Sequence, residues 1–244
     1  MGISLRLLSK EKKEKTNGLE LAITNYTKEL NGVQIGVGNG AGDLKGVQIG
    51  VVGNGAYKLR GTQVGGLINY AEKLKGVQAG VVNCSDDLKG VQAGVFNGAG
   101  DLKGVQVGVV GNGVGELRGT QVGGLINYAE KLKGVQAGVV NGTDDLKGVQ
   151  VGGYNGADDV KGVQAGVLNY TDDELKGVQI GGIINYAEKL RGVQISLINI
   201  CGEYSKGVQG GVINWRSGVP WYATLIPIIA IRTNKKKSIE DKVK

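Results

Sequence analysis

The stretch LKGVQAGVVNCSDDL, Leu74 to Leu88, determines most of what can be said about the fold of this 244-residue chain. Within it Val77, Ala79 and Val81 alternate with glycine and glutamine. A period of two with β-branched residues is typical of a β-strand. The segment that follows, Asn-Cys-Ser-Asp-Asp, has the composition of a turn. The stretch therefore predicts one strand of about six to eight residues and one compact turn.

The same unit recurs along nearly the whole chain. Its Gly-(Val/Thr)-Gln core occurs thirteen times, always 14 or 15 residues apart, and the chain has no other glutamine. These glutamines are Gln34, Gln48, Gln63, Gln78, Gln92, Gln106, Gln121, Gln136, Gln150, Gln164, Gln179, Gln194 and Gln209. A fixed short period predicts structural rungs that stack on one another. Residues 45–102 and 103–160 are also identical at 47 of 58 positions, which indicates a duplicated scaffold.

Two all-β architectures fit one strand per unit. In a β-solenoid each unit is one coil, and equivalent strands stack in parallel. In an up-and-down β-barrel, consecutive strands run antiparallel and the sheet closes. Counting Ile3–Leu8, Leu19–Thr24, the thirteen glutamine strands and Ala223–Arg232 gives about 16 strands. Closed barrels usually have such an even number.

The leucine before each Lys-Gly pair favours the solenoid. It occurs in nearly every unit, with Val160 in its place once. On a continuous barrel strand this leucine lies on the same face as glutamine. That face lines a water-filled lumen, where an apolar side chain is not stabilised by burial. In a coil that turns between leucine and glycine, it points into the core with valine and alanine. A barrel of this size also has a lumen too wide for such small side chains to fill.

In the favoured solenoid we expect the glutamines to form an outward ladder. Identical amides stacked at one per rung can hydrogen-bond up and down the stack. The flanking glycines leave room for each amide to lie flat on the sheet. The thirteen glutamines are therefore the candidate interaction face, which suits an ordered or repetitive partner.

Four segments are expected. Residues 1–16 form an N-terminal strand and basic linker, and residues 17–219 form the β-repeat domain. Residues 220–233 form a capping or closing strand, and residues 234–244 form a basic tail.

Both ends of the repeat domain have the features of caps. The first unit is degenerate, with Glu20 where glutamine is expected. At the other end Trp215, Trp221 and Tyr222 lie close together, near Pro220 and Pro227. Terminal repeats must shield an open core, so capping is favoured over a binding patch. The prolines suit an edge strand that must not recruit another chain.

The net charge of +7 is confined to the chain ends. Residues 17–220 contain 18 basic and 18 acidic side chains. Nucleic-acid-binding proteins usually carry a basic stripe along one face. A balanced repeat body therefore predicts no nucleic-acid partner.

The sequence contains no recognisable catalytic or metal site. The absence of histidine removes the commonest general base and metal ligand. Cys84 and Cys201 are too few for a structural zinc site, and the glycine-rich stretch 36–42 lacks the spacing of a phosphate loop. We therefore expect no enzyme, no cofactor and no metal. An enzyme with an unusual carboxylate site, near Glu20 or Glu174, is a weaker alternative.

The units resemble the bacterial surface-repeat proteins built on Gly-Val-Gln-x-Gly-Leu-x-Asn units. The resemblance rests on the Gly-Val-Gln units, on GGLINYAEK at 65–73 and on LIPII at 225–229, and it covers residues 17–231. It implies a non-enzymatic, envelope-associated repeat protein. The sequence itself has no visible signal segment, which by default predicts a cytoplasmic location.

The expected function is that of a structural or interaction scaffold. Its partner would be a protein or an envelope component, and association with a membrane or with further copies of the chain remains open. The alternative is a membrane β-barrel or pore-like protein, which would depend on detergent for solubility.

Overall fold

The computed structural model describes residues 2–5, 13–202, 205–218 and 230–231. Side chains are described for residues 14–202 and 205–218. In this part of the chain all regular structure is β-strand, organised as a parallel β-solenoid of about 13 turns. The predicted all-β solenoid is confirmed.

Nine strands are present in the described residues. They are β1 (Gly2–Leu5), β2 (Lys13–Leu21), β3 (Thr24–Gly65), β4 (Ile68–Gly123), β5 (Ile126–Ile195), β6 (Ile198–Cys201), β7 (Val208–Gly210), β8 (Ile213–Arg216) and β9 (Ala230–Ile231). Strands β3, β4 and β5 are 42, 56 and 70 residues long, so each passes through several coils. The expectation of a short strand followed by a compact turn is therefore wrong, because the segments assigned to turns also pair with neighbouring coils.

The register follows the sequence repeat. In the pairing of β3 with β4, Gln63 lies opposite Gln78 and Leu59 lies opposite Leu74. These pairs, like those between β4 and β5, are parallel. An up-and-down barrel requires antiparallel neighbours, so the 16-stranded alternative is wrong. Among the described strands only β7 and β9 pair in the antiparallel direction.

The chain divides into two compact units, Met1–Gly152 and Gly153–Lys244. In most coils of each unit one leucine is completely buried, with Val160 in its place once and Ser205 in its place in the last coil. The first unit buries Leu30, Leu44, Leu59, Leu74, Leu88, Leu102, Leu117, Leu132 and Leu146, and the second buries Val160, Leu175 and Leu190. The predicted inward leucine is confirmed. The valines on either side of glutamine are more exposed, so the expectation that they fill the core is wrong.

The corner between leucine and glutamine explains this difference. Gly76 turns the chain with a φ of +146°, and a Cβ atom there would lie 1.9 Å from the carbonyl oxygen of Gly61 in the preceding coil. Only glycine tolerates such a position. The corner changes the direction of the chain but keeps the inward-outward alternation. Leu74 and Gln78, four residues apart, therefore both point inward.

The first strands extend beyond the expected domain boundary. β2 crosses from residue 16 to residue 17 without a break, and β1 pairs with it from Gly2 opposite Gly18. The N-terminal coils thus begin before residue 17. Residues 232–244, including the predicted basic tail, lie outside the described residues, as do Trp221 and Tyr222. Trp215, the described member of the predicted aromatic cap, is 54% exposed on β8.

Candidate functional site

The thirteen glutamines from Gln34 to Gln209 are all fully buried. Within the first unit, Nε2 of Gln48 donates to Oε1 of Gln34 at 2.9 Å, and Gln63 donates to Gln48 at 2.7 Å. The predicted hydrogen bonds from rung to rung are confirmed. The predicted interaction face is wrong, because alternation through the corner glycine turns these side chains to the interior. The ladder holds the fold together and offers nothing to a partner.

A second buried ladder consists of asparagines that the sequence assigned to turns. One asparagine follows each glutamine by five or six residues. Nδ2 of Asn39 donates to Oδ1 of Asn54 at 2.9 Å and to the carbonyl oxygen of Ile49 at 2.8 Å. The regular spacing of these asparagines was a signal for the ladder. Because asparagine is so common in turns, however, the composition of these segments predicted turns instead.

The two ladders have opposite hydrogen-bond directions. Glutamine amides donate to the preceding coil, as Gln78 does to Gln63, whereas asparagine amides donate to the following coil, as Asn69 does to Asn83. The second unit repeats this arrangement, since Gln194 donates to Gln179 while Asn185 donates to Asn199. The side-chain dipoles of the two ladders therefore oppose each other in the interior, where hydrogen bonds are electrostatically stronger than in water.

A charged side chain completes the hydrogen bonding of the last glutamine at each end of the glutamine ladder. In the first unit, buried Glu20 accepts hydrogen bonds from Gln34, Thr16 and Thr27. In the second unit, Arg216 is 6% exposed and its Nε donates to Oε1 of Gln209 at 2.8 Å. A carboxylate accepts only and a guanidinium donates only, which matches the direction of the ladder at each end.

The exterior of each coil is divided by charge. Between residues 32 and 214, the segment of each coil that runs from the corner glycine to the ladder asparagine contains no charged residue. We call this part of each coil the charge-free side. Its outward side chains are mainly valine, isoleucine, leucine and alanine. Every charge between residues 32 and 200 falls in the remaining segment, around the buried leucine.

The most exposed aliphatic residues lie where the charge-free side bends. Val51 and Val109 are each 69% exposed, and Leu67 and Leu125 are each 52% exposed. We call this one-per-coil row the apolar ridge. In the first unit it consists of Val37, Val51, Leu67, Val81, Val95, Val109, Leu125 and Val139, all of them exposed except the half-buried Val95. Backbone hydrogen bonds also join neighbouring coils at the bend. For example, the amide nitrogen of Val82 donates to the carbonyl oxygen of Leu67 at 2.7 Å.

A row of cations borders the charge-free side. From Leu44 onward one basic residue stands between each buried leucine and its corner glycine, and we call this row the basic column. In the first unit it consists of Lys45, Arg60, Lys75, Lys89, Lys103, Arg118, Lys133 and Lys147, and all eight are exposed. The ion pairs among the described residues of this unit involve other lysines, at positions 15, 28 and 131. The eight cations therefore face solvent without a carboxylate partner there.

Tyrosines mark the opposite border in several coils. Tyr70 and Tyr128 follow ladder asparagines, are more than 40% exposed, and direct their hydroxyl groups toward Asp86 and Asp144. In the second unit Tyr170 and Tyr186 stack with their ring centroids 4.8 Å apart. A hydrogen bond to Glu188, together with burial and the charge of that carboxylate, raises the pKa of Tyr186 to about 12.

Both carboxylates of the enzyme alternative are paired, although Glu174 lines an open cavity with Asp159 and Asp173. Glu20 ends the glutamine ladder, and Glu174 pairs with Lys176 and Arg191. The hydrogen bond from Lys176 is the main reason that the pKa of Glu174 is below its usual value. The described residues contain no cluster of three His, Cys, Asp or Glu side chains suited to a metal ion. They also contain no helix long and apolar enough to cross a bilayer.

No protein-family model, curated protein or solved structure matches this chain. The resemblance to bacterial surface-repeat proteins therefore stays a prediction. The candidate functional surface is the charge-free side with its apolar ridge and basic column. Sequence reasoning missed it, although the confinement of all charges to one segment of each repeat was a visible signal.

Proposed function

We propose that the chain is a non-catalytic scaffold that attaches through its charge-free side to a second apolar surface in the cell envelope. The observation that carries this proposal is the apolar ridge. Exposed aliphatic residues occur there in seven of the eight coils of the first unit, and no charge interrupts them. Soluble monomers rarely expose a contiguous apolar patch of more than a few hundred Å². A surface of this kind gains free energy when another apolar surface covers it.

The interior supports a scaffold in a second way. Both amide ladders and the corner glycines depend on contacts with the neighbouring coil, so the coils hold one another in register. Repeat proteins of this type use their regular surface for binding while their core supplies rigidity. The envelope location is taken from the resemblance to surface-repeat proteins.

The test compares two substitutions in one coil. Val51→Asp places a charge on the apolar ridge, whereas Tyr57→Asp places the same charge at a 49% exposed position on the charged side. Each variant is expressed in the cells of origin, and its distribution between soluble and envelope fractions is measured. We expect Val51→Asp to move protein into the soluble fraction and Tyr57→Asp to leave it in the envelope. Equal distribution of both variants would contradict the proposal, provided that both unfold at the wild-type temperature.

A further inference from the structure

We infer that the apolar surface covered by this scaffold is the interface of an anionic lipid bilayer. This inference rests on the proposed function and names its partner. The ridge of the first unit inserts among acyl chains near the headgroups, and the basic column contacts the lipid phosphates. The charged side of each coil stays in water.

The order of side chains around a coil carries the first step. Leaving the buried Leu74, the chain presents Lys75, the corner Gly76, and then the charge-free side up to Asn83. The acidic residues Asp86 and Asp87 come after that side and are exposed. Cations thus border the apolar surface directly, and the acidic residues lie on the charged side, where Asp87 lines a cavity together with Lys75 and Lys89. Lysine and arginine suit this position because their aliphatic stems cover apolar surface while the charge reaches the headgroups.

Charge complementarity carries the second step. The eight residues of the basic column lie one per coil, about 4.8 Å apart as adjacent strands are. None of them pairs with a carboxylate in the described part of the first unit. An anionic leaflet attracts each such cation by about as much as a fivefold gain in binding. An uncharged apolar partner would leave this column without a counterpart.

The exposed aromatic residues carry the third step. Tyr26, Tyr70 and Tyr128 follow ladder asparagines at the border of the charge-free side, and all are more than 40% exposed. Tyrosine is enriched where apolar and aqueous regions of a membrane meet, because its ring is apolar and its hydroxyl is polar. At Tyr70 and Tyr128 that hydroxyl is directed to an aspartate on the charged side.

The form of the ridge favours lipid over a second copy of the chain. Its most exposed residues, Val51 and Val109, project from a bend, and a second copy presents the same projecting residues. A shallow groove runs along part of the ridge itself, lined by the ridge residues Val81, Val95 and Val109 and by neighbouring glycines. It gives self-association a route, so association between copies is a defined outcome of the test. Acyl chains adapt both to projecting side chains and to a shallow groove between them, so they need no matching surface.

The experiment measures sedimentation of the full chain with lipid vesicles. One set contains equal parts of phosphatidylcholine and phosphatidylglycerol, and the other contains phosphatidylcholine alone. The ridge variant is Leu67→Ser with Leu125→Ser, at two 52% exposed positions that correspond in the duplicated block. The column variant is Lys75→Gln with Lys133→Gln. Light scattering without lipid reports association between copies, and thermal unfolding confirms that the variants fold.

We expect the wild type to sediment with the anionic vesicles, and less so as salt is added. The column variant should bind the anionic vesicles roughly 25-fold more weakly, with binding to neutral vesicles unchanged. The ridge variant should bind both kinds of vesicle more weakly. This last result separates insertion from adsorption by the charged chain ends, which are the same in every variant.

Two results would overturn the inference. If the wild type does not sediment with anionic vesicles but forms oligomers that the ridge variant abolishes, the proposed attachment stands and its partner is a second copy. If the ridge variant sediments as well as the wild type, the charge-free side does not contact lipid. If in addition no oligomer depends on the ridge, the proposed function fails as well.

Discussion

The carboxylate of Glu20 and the side-chain amide of Gln34 lie one coil apart, with Oε2 and Nε2 separated by 2.8 Å. This contact ends a ladder in which every other acceptor is a glutamine amide. Glu20 also accepts from Thr16 and Thr27, so each oxygen of its carboxylate has a donor. The unit of Glu20 lacks the glutamine and supplies an acceptor-only side chain where the ladder needs one.

Replacement of Glu20 tests this role. Glu20→Leu leaves the Gln34 amide and two threonine hydroxyls without their acceptor, at about 1–3 kcal/mol for each unsatisfied group. Glu20→Gln retains one acceptor oxygen and should lose far less. Both are measured by denaturant unfolding, and hydrogen exchange should show early opening of the N-terminal coils in the leucine variant. Equal stability of the two variants would show that Glu20 does not terminate the ladder.

Replacement of Gln92 tests the interior placement of the glutamines. Its amide donates to Gln78 and to the carbonyl of Gly98, and it accepts from Gln106. Gln92→Leu leaves three polar groups unsatisfied and should lower the free energy of unfolding by at least about 3 kcal/mol.

The control for Gln92 is Val107→Thr, at a 45% exposed position on the charge-free side. A surface substitution of this kind should change stability by no more than about 0.5 kcal/mol. A similarly small loss in Gln92→Leu would mean that the glutamines face solvent.

A comparison of two glycines tests which positions require glycine for their backbone conformation. Gly76→Ala would set a Cβ atom 1.9 Å from Gly61 O, at a φ that side chains rarely adopt, and should cost about 3 kcal/mol or more. Gly38 has no atom within 4 Å of the same position, so Gly38→Ala should be neutral or stabilising by up to about 1 kcal/mol. Thermal unfolding of the two variants checks the contrast. If both unfold at the same temperature, Gly76 does not occupy a strained corner.

The hydroxyl of Tyr186 should ionise at a higher pH than that of an ordinary tyrosine. Its pKa of about 12 lies above the ordinary tyrosine value of about 10. Because the folded pKa is raised, the contribution to stability is complete below about pH 10 and is lost as the pH rises toward 12. Ultraviolet titration of tyrosinate, compared between wild type and Tyr186→Phe, isolates this group.

Glu188→Gln serves as the control for Tyr186. It removes the carboxylate that accepts from the hydroxyl and should bring the titration of Tyr186 back toward its usual range. An unchanged titration curve in Glu188→Gln would mean that another group raises the pKa.

The repeat of 14 or 15 residues was enough to predict an all-β solenoid, the burial of Leu74 and its equivalents, and amide contacts between successive glutamines. Each depends on local alternation or on the stacking of identical units, and both can be seen in the sequence. The position of Glu20 in register with Gln34 followed from the same period. The second ladder did not, because asparagine in a turn and asparagine in a core have the same spacing.

The tertiary structure decided which side of each strand faces inward. Alternation gives Val77 and Gln78 opposite faces but does not say which one is buried, and the polar glutamine was expected outside. The corner at Gly76 settles the matter, because it bends the chain without interrupting the alternation that begins at buried Leu74. The glutamines are therefore enclosed, and stacking supplies the hydrogen bonds that make their burial tolerable. The sequence determined the repeat and its register, while the geometry of one glycine corner decided that the apolar residues form the outer surface.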